Sequence, residues 1–69
     1  MKLGNNLRRL RFDKNETSQQ DLANEIGVTR QTIFSIEKNK FVPSALLALK
    51  IARFFNKSFE EVFFIIDEE

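Results

Sequence analysis

The chain has 69 residues without Cys or His, so disulfides and the usual structural zinc sites are excluded as sources of stability. A core of this size is marginal alone, which leaves close helix packing, association with a second subunit, or both. No apolar run approaches the ~18 residues that span a bilayer and no signal peptide opens the chain, so we expect a single cytoplasmic domain, residues 1–69.

The net charge of +1 hides an uneven distribution of charge along the chain. Residues 1–57 carry a balance of +6, whereas residues 58–69 contain five acids and no base, a balance of −5. A basic body with an acidic tail is typical of a protein that binds a polyanion through its body. A solubilising mixture of charges would give the same distribution, so charge alone leaves both interpretations open.

The first two predicted elements are helices separated by a polar break. Leucines recur at helical spacing near the start of the chain, which predicts helix one over residues 3–14. Helix two is predicted over residues 19–26, because Ser18 is a favourable N-cap and Gly27 can end a helix in the left-handed conformation. The apolar face of helix two is formed by Leu22, Ala23 and Ile26.

Three more helices and an extended tail follow. Each of these helices comes after a capping hydroxyl: Thr29 before helix three (30–38), Ser44 before helix four (45–56) and Ser58 before helix five (59–63). The ending Phe63 to Ile66 is aromatic and β-branched, which favours a short strand or an extended arm. The predicted fold is therefore all-α, with five helices and a C-terminal tail of residues 63–69.

Residues 19–38 combine the constraints of a helix-turn-helix arrangement, in which two short helices cross nearly at right angles. Ala23 is small enough for another helix to approach closely, and Gly27 makes the tight turn. Ile33 and Ile36 then pack the second helix back on the first. An unrelated helical bundle can contain a similar hairpin, but the joint pattern favours the helix-turn-helix motif.

The outer side of helix three carries side chains that suit the bases of DNA. At about 100° per residue, this side holds Arg30, Gln31, Phe34, Ser35 and Lys38. Arg can form two parallel hydrogen bonds with guanine and Gln with adenine in the major groove, and Phe34 suits a thymine methyl group. A plain solvated surface is the alternative for Arg30 and Gln31, and a dimer or crystal contact is the alternative for Phe34.

Other polar side chains are placed to contact the phosphate backbone. Gln19 stands at the first position of helix two, whose N-terminus points at a phosphate in this motif. Its amide can bond that phosphate and brace the recognition helix. Lys38, Asn39 and Lys40 lie at the end of helix three and can reach phosphates further along. Such contacts position a protein on DNA without selecting a sequence.

Four stretches of the chain carry a family resemblance, namely Ser18 to Ala23, Gly27 to Ile33, Ile36 to Ser44 and Ala48 to Ala52. Because of these stretches, the chain resembles the Cro and phage-repressor helix-turn-helix family, in particular its small stand-alone prokaryotic regulators. The resemblance extends from about residue 5 to residue 64. The resemblance implies a five-helix domain that binds operator DNA as a dimer. It also implies base contacts by Arg30, Gln31 and Ser35, and phosphate contacts by Gln19, Thr29 and Lys40.

A structural ion pair is also implied by the resemblance. Glu37 lies on the inward side of helix three, where an unpaired carboxylate is unfavourable. The family pairs this position with an arginine of helix one that matches Arg11, so we expect a partly buried salt bridge. The chain departs from the family at Asn39, where many members have glycine, although Asn tolerates the left-handed conformation. Residues 63–69 extend beyond the minimal domain, which puts the family's dimer geometry in doubt.

A surplus of apolar side chains predicts a homodimer that is built by helix four and the tail. Helix four, residues 45–56, is apolar over most of its circumference, and the tail adds four apolar residues in succession. The tail could pair with its symmetry mate, lie across the partner's helix four, or fold back on its own domain beside Met1 to Leu3. A two-fold axis would place two recognition helices ~34 Å apart, one turn of B-DNA.

These observations predict a transcriptional regulator, a repressor, that binds the major groove of double-stranded DNA with residues 30–38. An enzyme is not expected, since the chain has no His, Cys or Tyr, no phosphate-binding glycine loop and no plausible metal cluster. We likewise expect no cofactor, small-molecule ligand or membrane contact. Two alternatives are an antitoxin, which binds its operator and a toxin, and a protein-interaction module that has lost DNA binding. The module is disfavoured by Gln19, Arg30, Gln31 and Lys40.

Overall fold

Five helices and two short strands make up the fold in the computed structural model, which describes residues 1–67. In chain order they are β1 (Lys2–Asn5), α1 (Leu7–Asp13), α2 (Gln19–Ile26), α3 (Arg30–Glu37), α4 (Ala45–Phe54), α5 (Phe59–Val62) and β2 (Phe63–Ile66). The predicted helical fold with a C-terminal extended segment is confirmed. Positions 68–69 of the predicted tail lie outside the described residues. Within the described part, no helix is long and apolar enough to cross a membrane.

Hydroxyl side chains begin four of the five helices. The N-caps of α2 to α5 each accept a hydrogen bond from the backbone N–H three residues later, and these caps are Ser18, Thr29, Ser44 and Ser58. This bond satisfies one of the N–H groups that have no partner within the helix. The starts of these four helices are therefore where the sequence predicts them.

The ends of the helices are less accurately predicted. α2 ends as expected at Gly27, which has a left-handed φ of 78°. α3, α4 and α5 each end one or two residues before the predicted position. Asn39 and Asn56 turn the chain with left-handed φ values of 61° and 56° after α3 and α4. Phe63 belongs to β2 instead of the last helix.

The prediction that helix one begins at residue 3 is wrong, because the chain starts with a strand. β1 pairs antiparallel with β2, so that Lys2 lies opposite Ile66 and Gly4 lies opposite Phe64. A β-carbon on Gly4 would lie 2.6 Å from side-chain atoms of both Phe64 and Ile66. Glycine therefore lets these two side chains cross over β1, and Leu3 packs against the core from the strand instead of from a helix.

Pairing with β1 also decides where the tail lies. Of the three expected arrangements, the structure has the one in which the tail folds back on its own domain beside the start of the chain. The main chain is tied there a second time, since the backbone N–H of Asn6 donates to the carbonyl of Val62 at 2.9 Å.

One apolar core holds the helices together. Its fully buried large side chains come from all five helices and are Leu7, Leu22, Ile33, Ile36, Ile51 and Val62. The inward face predicted for helix two and the two inward isoleucines predicted for helix three are all buried in it. The core thus fixes α3 against α2 and leaves the opposite side of α3 outside.

Candidate nucleic-acid interface

α2 and α3 meet at a tight corner. The N–H groups of Gly27 and Val28 both donate to the carbonyl of Ala23, at 2.9 and 3.0 Å. The Ala23 side chain is buried, and Val28 packs against the core beside it. The chain then leaves the corner through Thr29, whose hydroxyl accepts from the backbone N–H of Thr32 at 3.3 Å. This corner sets the direction in which α3 leaves α2.

The outward side of α3 is polar and basic at its two ends. Arg30, Gln31 and Lys38 are exposed, whereas Phe34 and Ser35 are half-buried. Glu37 is the one acid between residues 30 and 40, and it is turned away toward Arg11. The exposed side of α3 therefore presents donors and cations without an opposing carboxylate from its own segment.

Two grooves flank α3 and divide the predicted contact residues between them. The larger groove, of about 640 Å³, lies between α1 and α3 and contains Gln19, Phe34 and Lys38. The smaller one, of about 280 Å³, contains the remaining polar positions and the loop after α3, lined by Thr29, Gln31, Thr32, Ser35, Lys40 and Phe41. Arg30 lies at the start of α3. α3 thus protrudes between two grooves of the protein surface that each contain predicted phosphate contacts. This arrangement suits a helix that lies in a groove of duplex DNA.

Phe34 is partly covered by its own helix. The Lys38 ammonium lies 5.7 Å from the centre of the Phe34 ring, within the range of a cation–π contact. The ring also lines the larger groove with Phe12 of α1. The Lys38 side chain thus covers part of the Phe34 ring, which remains on the outward side of α3.

Arg11 and Glu37 form the ion pair that the family resemblance implies. Arg11 Nε donates to Glu37 Oε2 at 2.7 Å and Arg11 Nη2 to Glu37 Oε1 at 3.0 Å, so the pair is bidentate. The two side chains are 15% and 9% exposed. Arg11 Nη1 also donates to the carbonyl of Thr17 at 3.0 Å, which ties α1 to the loop before α2. The pair therefore holds α1, α2 and α3 in one arrangement.

Gln19 joins this ion pair to the start of α3. Its Nε2 donates to Glu37 Oε1 at 3.2 Å, and its Oε1 accepts from Arg30 Nη1 at 3.2 Å. Gln19 is half-buried, while Arg30 is exposed. Two residues predicted to contact different parts of DNA are thus bonded to each other.

A helix-turn-helix family model matches residues 7–62, which is most of the chain. The chain belongs to the helix-turn-helix family. The resemblance to the Cro and phage-repressor type that the sequence indicated is confirmed by this match.

Several relatives are about half identical to this helix-turn-helix protein over roughly three quarters of its length. An uncharacterised HTH-type transcriptional regulator of Methanocaldococcus jannaschii is 52% identical over 52 residues, which cover 75% of this chain and 79% of the relative. The uncharacterised HTH-type transcriptional regulator YgzD of Bacillus subtilis is 51% identical over 51 residues, covering 74% and 77% of the two chains. An uncharacterised HTH-type transcriptional regulator of Archaeoglobus fulgidus is 50% identical over 52 residues, covering 75% and 74%.

The structure of this helix-turn-helix protein adds residues that the sequence did not single out. Arg8 and Phe12 of α1 line the larger groove, and Phe12 is 66% exposed. Asn5 ties β1 to the end of α3, because its Nδ2 donates to the carbonyl of Ile36 at 2.9 Å and to Asn39 Oδ1 at 3.4 Å. An exposed Phe among arginines was the available signal for Phe12. Nothing local in the sequence indicates the contacts of Asn5.

Proposed function

We propose that this protein is a transcriptional regulator that binds double-stranded DNA and selects its sequence through α3 in the major groove. The observation that carries the proposal is the outward side of α3, where exposed Arg30, Gln31 and Lys38 stand without an acid of their own segment. Membership of the helix-turn-helix family supports it, and the family is one of DNA-binding regulators rather than enzymes.

Individual contacts follow from these positions. Arg30 and Gln31 bond base edges together with Ser35, and Phe34 lies against a thymine methyl group. Gln19, Thr29, Lys38 and Lys40 bond phosphates from the two grooves beside α3. The Thr29 hydroxyl accepts the capping bond and shares a hydrogen bond of 3.1 Å with the Thr32 hydroxyl, so Thr29 offers its own hydrogen to a phosphate oxygen when Thr32 is the donor between the two hydroxyls. The motif of residues 19–38 thus acts as the DNA-contacting part of a single domain.

The proposed protein binds its operator as a homodimer. Apolar side chains are exposed on the loop before α4, on α4 and on β2, and these are Phe41, Val42, Leu46, Leu49, Phe64 and Ile65. Leu46 and Leu49 are three positions apart, so they lie on one face of α4. A second copy of the chain covers such a surface symmetrically and presents two recognition helices, as operators with two half-sites require.

Repression is the mode of regulation that we propose, since a protein bound over a promoter excludes polymerase without any further domain. Such a protein works in the cytoplasm, where the prokaryotic chromosome lies.

Selection from a random pool of duplex DNA, followed by anisotropy titrations, tests this function. We expect one enriched sequence, and we expect Arg30→Ala to weaken binding by ~1–3 kcal/mol and to relax the preference at one base pair. Lys57→Ala is the control, because Lys57 is also an exposed cation but lies after α4, in a groove with Leu10 and Asp13 of α1. A wild-type protein that binds selected and random duplexes equally would refute sequence-specific binding.

A further inference from the structure

The α1 side of the larger groove carries two exposed side chains that the proposed DNA contacts do not include. Arg8 and Phe12 are four positions apart in α1, so they lie on one face of that helix. Both line the groove that also contains Gln19, Phe34 and Lys38. A DNA backbone that enters this groove to reach its two predicted phosphate contacts therefore also meets the face of α1.

Arg8 supplies a positive charge that is not used inside the protein. The two other arginines of α1 are each bonded to a carboxylate, Arg9 to Asp13 at 3.2 Å and Arg11 to Glu37 at 2.7 Å. Among residues 1–67, which the structure describes, Arg8 has no carboxylate within ion-pair distance. Because Glu37, the acid that lines the groove, is already paired, the remaining charge of the groove is positive. Such a groove favours a polyanion as its occupant.

Phe12 adds an aromatic ring to this basic groove. Its side chain is 66% exposed, and exposure of a single apolar residue does not by itself indicate an interface. Phe12 differs from other exposed apolar residues because it lies beside an unpaired cation among predicted DNA contacts. A second copy of the chain fits poorly here, since a symmetrical contact would set Arg8 against the same charge of its partner. A DNA backbone fits better, because it offers phosphate oxygens to the guanidinium and sugar carbons to the ring.

We propose that α1 forms a further DNA-contacting surface, in which Arg8 bonds one phosphate and the Phe12 ring packs against the adjoining sugar. The inference rests on the proposed DNA-binding function and deepens it, since α1 lies outside the helix-turn-helix unit. Neither contact selects a base, so both strengthen binding to every duplex. The two contacts differ in their dependence on salt, because the phosphate bond releases a counterion and the apolar contact does not.

Salt titrations of Arg8→Gln and Phe12→Gln separate the two contacts. Binding to a random-sequence duplex is measured by anisotropy from low to moderate salt, so the test needs no operator. Arg8→Gln should reduce the slope of log affinity against log salt by about one, as expected for one lost phosphate contact. Phe12→Gln should weaken binding by roughly threefold to tenfold at every salt concentration and leave the slope unchanged, since it removes the burial of part of a ring.

Lys57→Gln is the control for the loss of one unit of net charge. Lys57 is an exposed cation in a different groove, with Leu10 and Asp13 of α1, so its variant should keep the wild-type slope. Equal slopes for Arg8→Gln and Lys57→Gln, or equal affinities for Phe12→Gln and the wild type, would overturn the inference. A Phe12→Gln protein with a weakened dimer in sedimentation would overturn it too, by placing the ring between subunits. A wild type that binds no duplex would overturn the proposed function itself.

Ethylation interference on the selected operator locates the phosphate that Arg8 contacts. We expect ethylation of one phosphate in each half-site to weaken binding of the wild type but not of Arg8→Gln, because that variant has already lost the bond. Phe12→Gln and Lys57→Gln should both keep the sensitivity at this phosphate. An Arg8→Gln pattern identical to that of the wild type would show that Arg8 does not contact the backbone.

Discussion

The Arg11–Glu37 pair gives the sharpest prediction for stability. The two side chains are 15% and 9% exposed, and two parallel bonds of 2.7 and 3.0 Å join them. Without Glu37, Arg11 keeps one bond to the carbonyl of Thr17, and without Arg11, the carboxylate keeps one bond from Gln19. Removing one partner of a buried pair destabilises a protein by about 3–5 kcal/mol. Because a little solvent reaches this pair, we expect about 3 kcal/mol for Arg11→Ala and for Glu37→Ala alike.

Urea unfolding of the two single variants and the double variant measures how strongly the partners depend on each other. We expect a coupling free energy of at least about 1 kcal/mol, because the second substitution removes a group that the first has already left unpaired. Arg9 and Asp13 offer a control within the same chain, since their ion pair of 3.2 Å joins side chains that are 78% and 52% exposed. For that surface pair we expect no more than about 0.5 kcal/mol.

The outcome that would refute this reasoning is a coupling in the Arg11–Glu37 cycle no larger than that in the Arg9–Asp13 cycle. Burial of a bidentate pair would then add nothing to the link between α1 and α3. Unchanged slopes of the free energy of unfolding against urea are the check that all variants unfold from comparable folded states.

Four further outcomes test other parts of the molecule. Lys40→Ala should weaken binding to every duplex and reduce the slope of log affinity against log salt by about one, in titrations from low to moderate salt. Leu46→Gln should weaken the proposed dimer in sedimentation equilibrium, whereas Phe12→Gln should not, although the two side chains are 65% and 66% exposed. Equal dimer dissociation constants for the two variants would exclude α4 from the interface. Gly27→Ala should destabilise the fold by ~1–2 kcal/mol in urea, because its φ of 78° is unfavourable for Ala, whereas the new β-carbon would meet no atom of a more distant residue within 4 Å. The hydrogen bond from the Ser58 N–H lowers the pKa of Glu61. The stabilisation of the fold by the Glu61 carboxylate should therefore be fully present above the ordinary Glu pKa and be lost as pH falls through the lowered pKa. The urea midpoint of the wild type should then drop more in acid than that of Glu61→Gln.

Local signals account for the parts of the fold that the sequence predicts well. Ser18 and Thr29 begin α2 and α3 with their own side chains, and Gly27 ends α2 through its own backbone. Each of these interactions joins residues that are close in the chain. The helix-turn-helix unit and the outward side of α3 could therefore be located without knowledge of the remainder.

Long-range pairing accounts for what the sequence does not predict. Leu3 has the spacing of a helix with the leucines that follow it, yet it lies in β1, because the strand that pairs with it is at the other end of the chain. The hydrogen bonds of Gln19 to Glu37 and Arg30 could not be predicted from the sequence either, since they depend on where α3 crosses α2. Contacts between distant segments follow from the fold and cannot be inferred from the spacing of residue types alone.

Pairing of the two ends also bears on how the chain folds. In β1 and β2, Lys2 meets Ile66, so the sheet closes a loop that contains nearly every other residue. Closing a loop is entropically more costly the longer it is, and the penalty falls when the intervening helices have already assembled. The sheet should therefore form after the helices and open before them, and its amide hydrogens should exchange with solvent sooner than those of α2 and α3. The helix-turn-helix unit is thus the part of the molecule that stays folded longest, and the sheet that joins the two ends of the chain is the part that opens locally.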